Sequence, residues 1–178
     1  MHSMEDLAFY MASEMKRNAR SVIAQNIKQH NTSVFDTYQA LTKWKSMVGN
    51  RRPWDHKNHI KNTYGEWSLD SLSGAQFNYD IWSNLHYGYV GRGVGFSAWT
   101  LKAGAGYAQW AAGTNPDGYW QRRAEKLGDA DVIAAFDDPN DQTAITLGIQ
   151  LWDSYKSNID ARIIAALLRE HHSDLQTK

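Results

Sequence analysis

The sequence predicts a mainly α-helical protein, a compact single-domain bundle of about seven to nine helices with room for one small β-hairpin near residues 66–78. Apolar residues recur at the three-to-four spacing of helices through most of the chain. Serine and aspartate caps, with glycine and proline stops, divide that pattern into segments. A length of 178 residues without a repeat or a long linker suits one hydrophobic core.

The chain begins with a helix that the sequence predicts from Ser3 to about Gln29. Ser3 and Asp6 have the spacing of a capping pair, and Asn31-Thr32 interrupts the helical pattern. A second helix follows and is expected to end at Gly49, because glycine commonly follows the last turn of a helix.

The middle of the chain has a less regular pattern. Pro53 fixes a turn that leads into a short helix. The small hairpin would have Ser73-Gly74 at its tip, because serine and glycine favour tight turns. A helix over residues 79–89 is predicted to follow it.

The second half of the chain returns to the helical pattern. Asp138-Pro139 pairs a good N-cap residue with one that is favoured in the first helical turn. The helices of this half are predicted over residues 97–112, 117–127, 130–136, 139–152 and 159–170.

Three segments follow from these elements. Residues 1–50 are an N-terminal helical segment that could serve delivery or docking. Residues 51–172 form the catalytic domain, and we expect both segments to pack as one unit. Residues 173–178 are predicted to be a frayed tail, as chain ends commonly are.

Composition excludes several classes of protein. The chain has no cysteine, so neither a disulfide nor a catalytic thiolate is available. No segment approaches the roughly 20 apolar residues of a membrane-spanning helix, so we expect no stable membrane span. The first residues lack a signal-peptide pattern, so we expect that export would need a specialised carrier or that the chain is one piece of a longer polypeptide. The net charge is zero, whereas nucleic-acid binders usually carry a strong basic surface.

The densest group of polar and aromatic side chains lies in residues 79–89. Asp80, Asn84 and Tyr87 have the i, i+4, i+7 spacing of one helix face. His86 follows Asp80 by six positions. A stripe that is polar and aromatic rather than aliphatic suits a ligand-binding or catalytic cleft. The same residue types can also be hydrogen-bonded groups in a core.

Carboxylates near tryptophan residues indicate acid–base hydrolysis. Asp55, Glu66 and Asp80 could supply the two carboxylates of a glycosidase. Lys57 and His86 are further candidate catalytic residues. The candidates for binding a glycan strand are Trp54, Tyr79, Trp82, Asn84 and Tyr87. A structural alternative for Asp55 is that it caps the helix that follows Pro53-Trp54.

Two other chemistries could use the same region. A ribonuclease could employ His56 or His86 as acid and base, with Lys57 or Arg92 holding phosphate. Zinc is a weaker alternative, because the His-x-x-His spacing of His56 and His59 is not the helical i, i+4 pair. We therefore predict no metal site and no cofactor, and leave a divalent metal open.

Several segments, in order over residues 50–152, resemble the bacterial polymorphic toxin type 44 domain. Such domains are C-terminal toxin modules of Rhs/YD-repeat proteins and related secreted effectors. The segments that carry the resemblance are residues 53–57 (PWDHK), 79–91 (YDIWSNLHYGYVG), 104–109 (GAGYAQ), 112–114 (AGT) and 137–142 (DDPNDQ).

The resemblance implies an antibacterial effector that a contact-dependent system such as type VI secretion delivers on a carrier protein. It also implies a cognate immunity protein as a partner. The site residues that the resemblance implies are Asp55, Lys57, Asp80, Asn84, Tyr87 and Gln109.

Three functions remain open at the level of sequence. The first is a hydrolase that cuts peptidoglycan glycan strands in the target periplasm. The second is a ribonuclease-type toxin of the target cytoplasm, which the excess of ten basic over five acidic residues in residues 1–62 favours. The third is a non-enzymatic toxin that perturbs membranes through the glycine-rich residues 91–112.

Overall fold

A computed structural model describes residues 2–32, 36–102 and 139–178. The first helix, α1 (Met4–Ala19), begins at Ser3, whose hydroxyl accepts a hydrogen bond from the Asp6 amide at 3.0 Å. A second helix, α2 (Val22–Asn31), follows. The prediction of one continuous helix to Gln29 was therefore wrong. Ser21 explains the break, because its hydroxyl accepts from the Ala24 amide and starts a new helix.

Two further helices lead to the middle of the chain. Helix α3 (Thr37–Val48) ends at Gly49, as predicted. The short helix predicted after Pro53 is α4 (Lys57–Tyr64). It ends at Gly65, whose φ of +92° lies in the left-handed region that glycine adopts most easily.

The predicted hairpin is present as β1 (Trp67–Leu69) and β2 (Gln76–Asn78), which pair antiparallel. Gly74 lies in the connecting turn with φ +78°. The C-terminal residues, predicted to fray, instead pair with β2 through an isolated antiparallel bridge between Phe77 and Thr177. The Gln76 amide donates to the Lys178 carbonyl at 2.9 Å, and the Lys178 amide donates to the Gln76 carbonyl at 3.1 Å. The tail thus satisfies backbone groups that an edge strand would otherwise expose.

The second half of the described chain contains the central helix of the fold. This helix, α5 (Tyr79–Gly93), is longer than the predicted 79–89 and is followed by α6 (Ala98–Lys102). The last two helices are α7 (Pro139–Tyr155) and α8 (Ala161–Glu170). The remainder of the helix predicted to residue 112, and those predicted over 117–127 and 130–136, lie outside the described residues.

The start of α8 differs from the predicted start at Ile159. Asp160 is the N-cap, and its carboxylate accepts a hydrogen bond from the Ile163 amide at 2.9 Å. The part of the chain that the structure describes contains eight α-helices and one two-stranded sheet. The predicted fold class, a mainly α single domain, is confirmed.

The core is built around the contact between α5 and α7. A Cβ atom added at Gly88 would lie 2.2 Å from the Ile145 carbonyl oxygen, and one added at Gly148 would lie 2.1 Å from that of Leu85. The two helix backbones therefore touch at these glycines. The largest fully buried side chains of the described residues include four from α1, which are Met4, Leu7, Met11 and Met15. The others include Trp44, Trp82, Tyr89, Phe77 and Phe96.

Candidate functional site

An ion pair joins the start of α4 to the first turn of α5. The Lys57 ammonium lies 3.0 Å from a carboxylate oxygen of Asp80, and both side chains are partly exposed. Asp80 is placed by the Asn78 side chain, which accepts a hydrogen bond from the Asp80 amide at 3.0 Å and caps α5. The sequence predicted both residues for the site, and the structure brings them together.

A second carboxylate reaches this region from α7. Asn84 lies one turn after Asp80. Its side-chain amide nitrogen donates a hydrogen bond to the Asp141 carboxylate at 2.6 Å. The helical spacing predicted Asn84 but not Asp141, because an aspartate in the first turn of a helix is usually explained by capping or by the helix dipole. The acidic segment 137–142 was the available signal, since the resemblance included it.

Negative charge surrounds Lys57. Burial lowers the pKa of its ammonium, but the neighbouring carboxylates of Asp80, Asp141 and Asp55 outweigh burial and raise the pKa above its ordinary value. Lys57 therefore stays charged at neutral pH. The site therefore places one charged ammonium group among several carboxyl groups.

Asp55 lies next to Lys57 but uses its carboxylate on the backbone. One oxygen accepts from the Arg51 amide at 2.8 Å, and the other accepts from the Lys57 amide at 3.2 Å. Arg51 has a φ of +58°, which is unusual for a residue with a side chain. The N-cap residue of α4 is His56 and not Asp55, which the structural alternative named as the cap, and Asp55 instead holds the turn that leads into α4.

Glu66 and Tyr79 lie on a more exposed surface next to Asp80. The Glu66 carboxylate lies 4.0 Å from the Lys61 ammonium, and the Glu66 backbone carbonyl accepts a hydrogen bond from the Tyr79 backbone amide at 3.0 Å. The Lys61 ammonium lies 5.0 Å from the centre of the Tyr79 ring. The Tyr79 ring is therefore within cation–π distance of the Lys61 ammonium.

Three predicted substrate-binding aromatics belong to the core. Trp54, Trp82 and Tyr87 are 6 %, 0 % and 8 % exposed. The Tyr87 hydroxyl donates to the Leu101 carbonyl at 3.2 Å, and the Tyr87 ring lies 5.3 Å from the Trp44 ring. Their placement suits packing beneath the site rather than stacking on a sugar. Gln109 lies outside the described residues.

His86 is enclosed on the inner side of α5. It is 0 % exposed, and its Nε2 lies 2.9 Å from the Asn18 amide nitrogen. Burial, with His56 and Arg17 adding to it, lowers the pKa of His86 well below its ordinary value. A neutral imidazole that solvent does not reach is poorly placed to exchange protons with a polymer.

A family model described as bacterial toxin 44 matches residues 43–154 of the chain, which is more than half of its length. The chain belongs to the bacterial toxin 44 family. Lys57, Asp80, Asn84 and Asp141 all lie within the matched residues, so the toxin domain contains the whole ion-pair site. Neither the curated proteins nor the solved structures contained a match.

One cavity among the described residues lies away from the ion-pair site. It has a volume of about 580 Å³ and opens between α7 and α8. Its lining includes Tyr155, Arg162, Ile163, Leu167 and Glu170, and none of the predicted site residues.

Within the described ranges, no group of three or more histidine, aspartate or glutamate side chains is arranged to hold a metal ion. None of the helices there is both long and apolar enough to traverse a bilayer.

Proposed function

We propose that this bacterial toxin acts against other bacteria by hydrolysing the glycan strands of peptidoglycan. The observation that supports this proposal is the convergence of Asp80 on α5 and Asp141 on α7 around the Lys57 ammonium. Two carboxylates on separate rigid helices are the minimum that acid–base cleavage of a glycosidic bond requires.

Each carboxylate has a distinct role in this proposal. Asp80 lies against the Lys57 ammonium, and in this proposal it acts as the nucleophile or as the base that deprotonates the attacking water. In this proposal Asp141 is the acid that protonates the leaving glycosidic oxygen, because cleavage by two carboxyl groups needs the second one in that role. The Asn84 amide, bonded to one Asp141 oxygen, orients that carboxyl.

The ribonuclease alternative depends on His56 or His86 as acid and base. Both side chains are enclosed, at 4 % and 0 % exposure, and burial is the main cause that lowers the pKa of each. The site cation Lys57 is already paired with Asp80 and is not directed at a phosphate. The chain is also electrically neutral overall. These observations favour carboxylate chemistry over histidine chemistry.

The proposal includes the partners and the place of action. A secretion-system carrier, such as an Rhs protein of a type VI system, would deliver the toxin into the target periplasm. A cognate immunity protein would protect the producing cell.

The test is expression in a sensitive bacterium with and without a periplasmic signal peptide. Killing that requires the signal peptide is expected. Asp80→Asn should reduce the release of reducing ends from purified sacculi by about 100-fold or more, the usual contribution of an acid–base group. The matched control is Asp153→Asn, which removes an equally charged carboxylate that pairs with Arg92 on the surface.

Three results would contradict the proposal. The first is killing from the cytoplasm with degraded RNA, which would support the ribonuclease. The second is dye leakage from liposomes, which would support membrane perturbation. The third is full sacculus-cleaving activity of Asp80→Asn.

A further inference from the structure

Two buried histidines lie directly behind the ion-pair site. His56 is the N-cap residue of α4, immediately before Lys57, and is 4 % exposed. His86 lies on α5 and is 0 % exposed. Their ring centroids are 4.3 Å apart with the planes at 62°. The pair thus spans the two helices that carry Lys57 and Asp80.

Side chains of α1 contact one nitrogen of each ring. The Tyr10 hydroxyl lies 3.0 Å from His56 Nδ1, and the Asn18 amide nitrogen lies 2.9 Å from His86 Nε2. The other two ring nitrogens, His56 Nε2 and His86 Nδ1, are buried and have no hydrogen-bond partner among the described residues. Buried polar atoms usually have a partner, so these two nitrogens require an explanation.

The protonation state of the pair decides whether those two nitrogens repel each other. With Asn18 donating to His86 Nε2, a neutral His86 carries its proton on Nδ1. A neutral His56 that donates from Nδ1 to Tyr10 keeps a lone pair on Nε2. The two nitrogens are not hydrogen-bonded to each other in this structure, but their neutral tautomers place one N–H and one lone pair on adjacent rings, which do not repel each other. A protonated pair would instead present two N–H groups and no acceptor.

We infer that the His56–His86 pair is a positioning device that holds Lys57 against Asp80 only while both rings are uncharged. Neutral rings pack the first turn of α4 onto α5, and the backbone of His56 carries Lys57 with it. A proton on either ring introduces an uncompensated buried charge, which favours release of the start of α4. The inference rests on the proposed function only in treating Lys57 as a site residue.

The charges around the pair are consistent with neutral rings. His56 is faced by Glu14 and Arg17 of α1, by Asp55 before α4, and by His59 on α4. His86 is affected by His56 and by Arg17. Burial is the largest influence on both, and it lowers the pKa of each ring below its ordinary value. Both rings are therefore neutral at neutral pH, and release requires mild acid.

The experiment is competitive labelling of lysines with a trace of an amine-reactive reagent, read by peptide mass spectrometry. The measured quantity is the labelling of Lys57 divided by that of Lys61, an exposed lysine on the same helix. Both ammonium groups lose reactivity in parallel as pH falls, so the ratio reports the protection of Lys57. We expect a several-fold rise of the ratio between about pH 7.5 and about pH 5.

Two variants and a fold measurement make the result specific. His86→Gln keeps a neutral side chain that donates and accepts, so its ratio should stay low throughout. His59→Gln is the matched control at an exposed histidine of α4. Its labelling ratio should rise as pH falls, as the wild-type ratio does. Circular dichroism at each pH should show a folded protein.

Several outcomes would overturn the inference. They are a wild-type ratio that does not change with pH, a rise that coincides with global unfolding, and a His86→Gln ratio that rises as the wild type does. The pH dependence of the wild-type labelling ratio tests the inference even if a variant fails to fold. Sacculus cleavage at the same pH values is a separate measurement, so inactivity at every pH would reject the proposed function without deciding the positioning role.

Discussion

Asp55 shows how a charged residue next to a site can serve the backbone. Both of its oxygens accept from main-chain amides, those of Arg51 and Lys57. The residue holds a turn in which Arg51 adopts a left-handed φ of +58°. Asp55 therefore acts on the site through Lys57, by positioning its backbone and by helping to raise the pKa of its ammonium.

We predict that Asp55→Ala lowers the free energy of unfolding by about 1 kcal/mol, the usual cost of losing a capping side chain. Asp55→Asn should recover part of that loss, because its amide oxygen can still accept one of the two bonds. Urea unfolding measures the stability, and sacculus cleavage measures the activity. An inactive Asp55→Asn variant with wild-type stability would show instead that the carboxylate takes part in the reaction.

At the scale of helices, the sequence predicted one side of the site and not the other. The helical period placed Asp80 and Asn84 on one face of α5, and the structure agrees. Asp141 is 57 residues from Asn84 along the chain, so only the packing of α7 on α5 brings it there. Periodicity describes a single helix and carries no information about which helix lies opposite.

The contact of α5 with α7 depends on two glycines, which gives a prediction at this scale. Gly88→Ala should destabilise the fold by several kcal/mol, because the new methyl group would lie 2.2 Å from the Ile145 carbonyl oxygen and must push the helices apart. Thermal unfolding followed by circular dichroism is the measurement.

The matched control for this variant is Gly74→Ala in the hairpin turn. Nothing lies within 4 Å of an added Cβ there, and only the strain of φ +78° opposes it. We expect a cost of about 1 kcal/mol. Equal losses for the two variants would contradict the close approach of α5 and α7.

At the scale of the whole molecule, one arginine joins three distant segments. Arg169 on α8 donates two hydrogen bonds to Asp70 in the hairpin, at 2.8 and 2.9 Å, and one to Glu5 on α1, at 2.5 Å. Asp70 is fully enclosed. The hydrogen bonds from Arg169 hold the pKa of Asp70 well below its usual range.

We predict that Arg169→Met lowers the free energy of unfolding by about 3 kcal/mol, because it leaves the Asp70 carboxylate enclosed without its cation. Arg162→Met on the same helix is the matched control. Arg162 is 92 % exposed, and its pair with Asp160 should contribute less than about 1 kcal/mol. A loss for Arg169→Met as small as that of the control would show that Asp70 finds another partner.

Long-range pairing also explains what the sequence left undetermined about the fold. The cap at Ser3 and the helix end at Gly49 depend on residues within one helical turn, so the local sequence predicted both. The tail was predicted to fray because its partner strand, β2, lies about a hundred residues earlier. The Asp70–Arg169 pair has the same origin, since its members lie 99 positions apart.

The pH dependence of stability is the last prediction, and two kinds of group determine it. The folded-state pKa values of His56 and His86 are lowered, so the unfolded chain binds more protons below about pH 6.5 and stability falls there as pH falls. The slope should approach about 1.4 kcal/mol per pH unit for each histidine that stays neutral. Asp70, whose pKa is also lowered, adds a further loss below about pH 4.

Urea unfolding from about pH 8 to about pH 3 measures this curve. Stability should change little above about pH 6.5, because neither the two histidines nor Asp70 differ there in protonation between the folded and the unfolded chain. His86→Gln should remove part of the first decline and leave the second, while Arg169→Met should flatten the second alone. A curve that is level between about pH 7 and about pH 5 would show that the buried histidines bind protons as readily in the folded protein as in the unfolded chain.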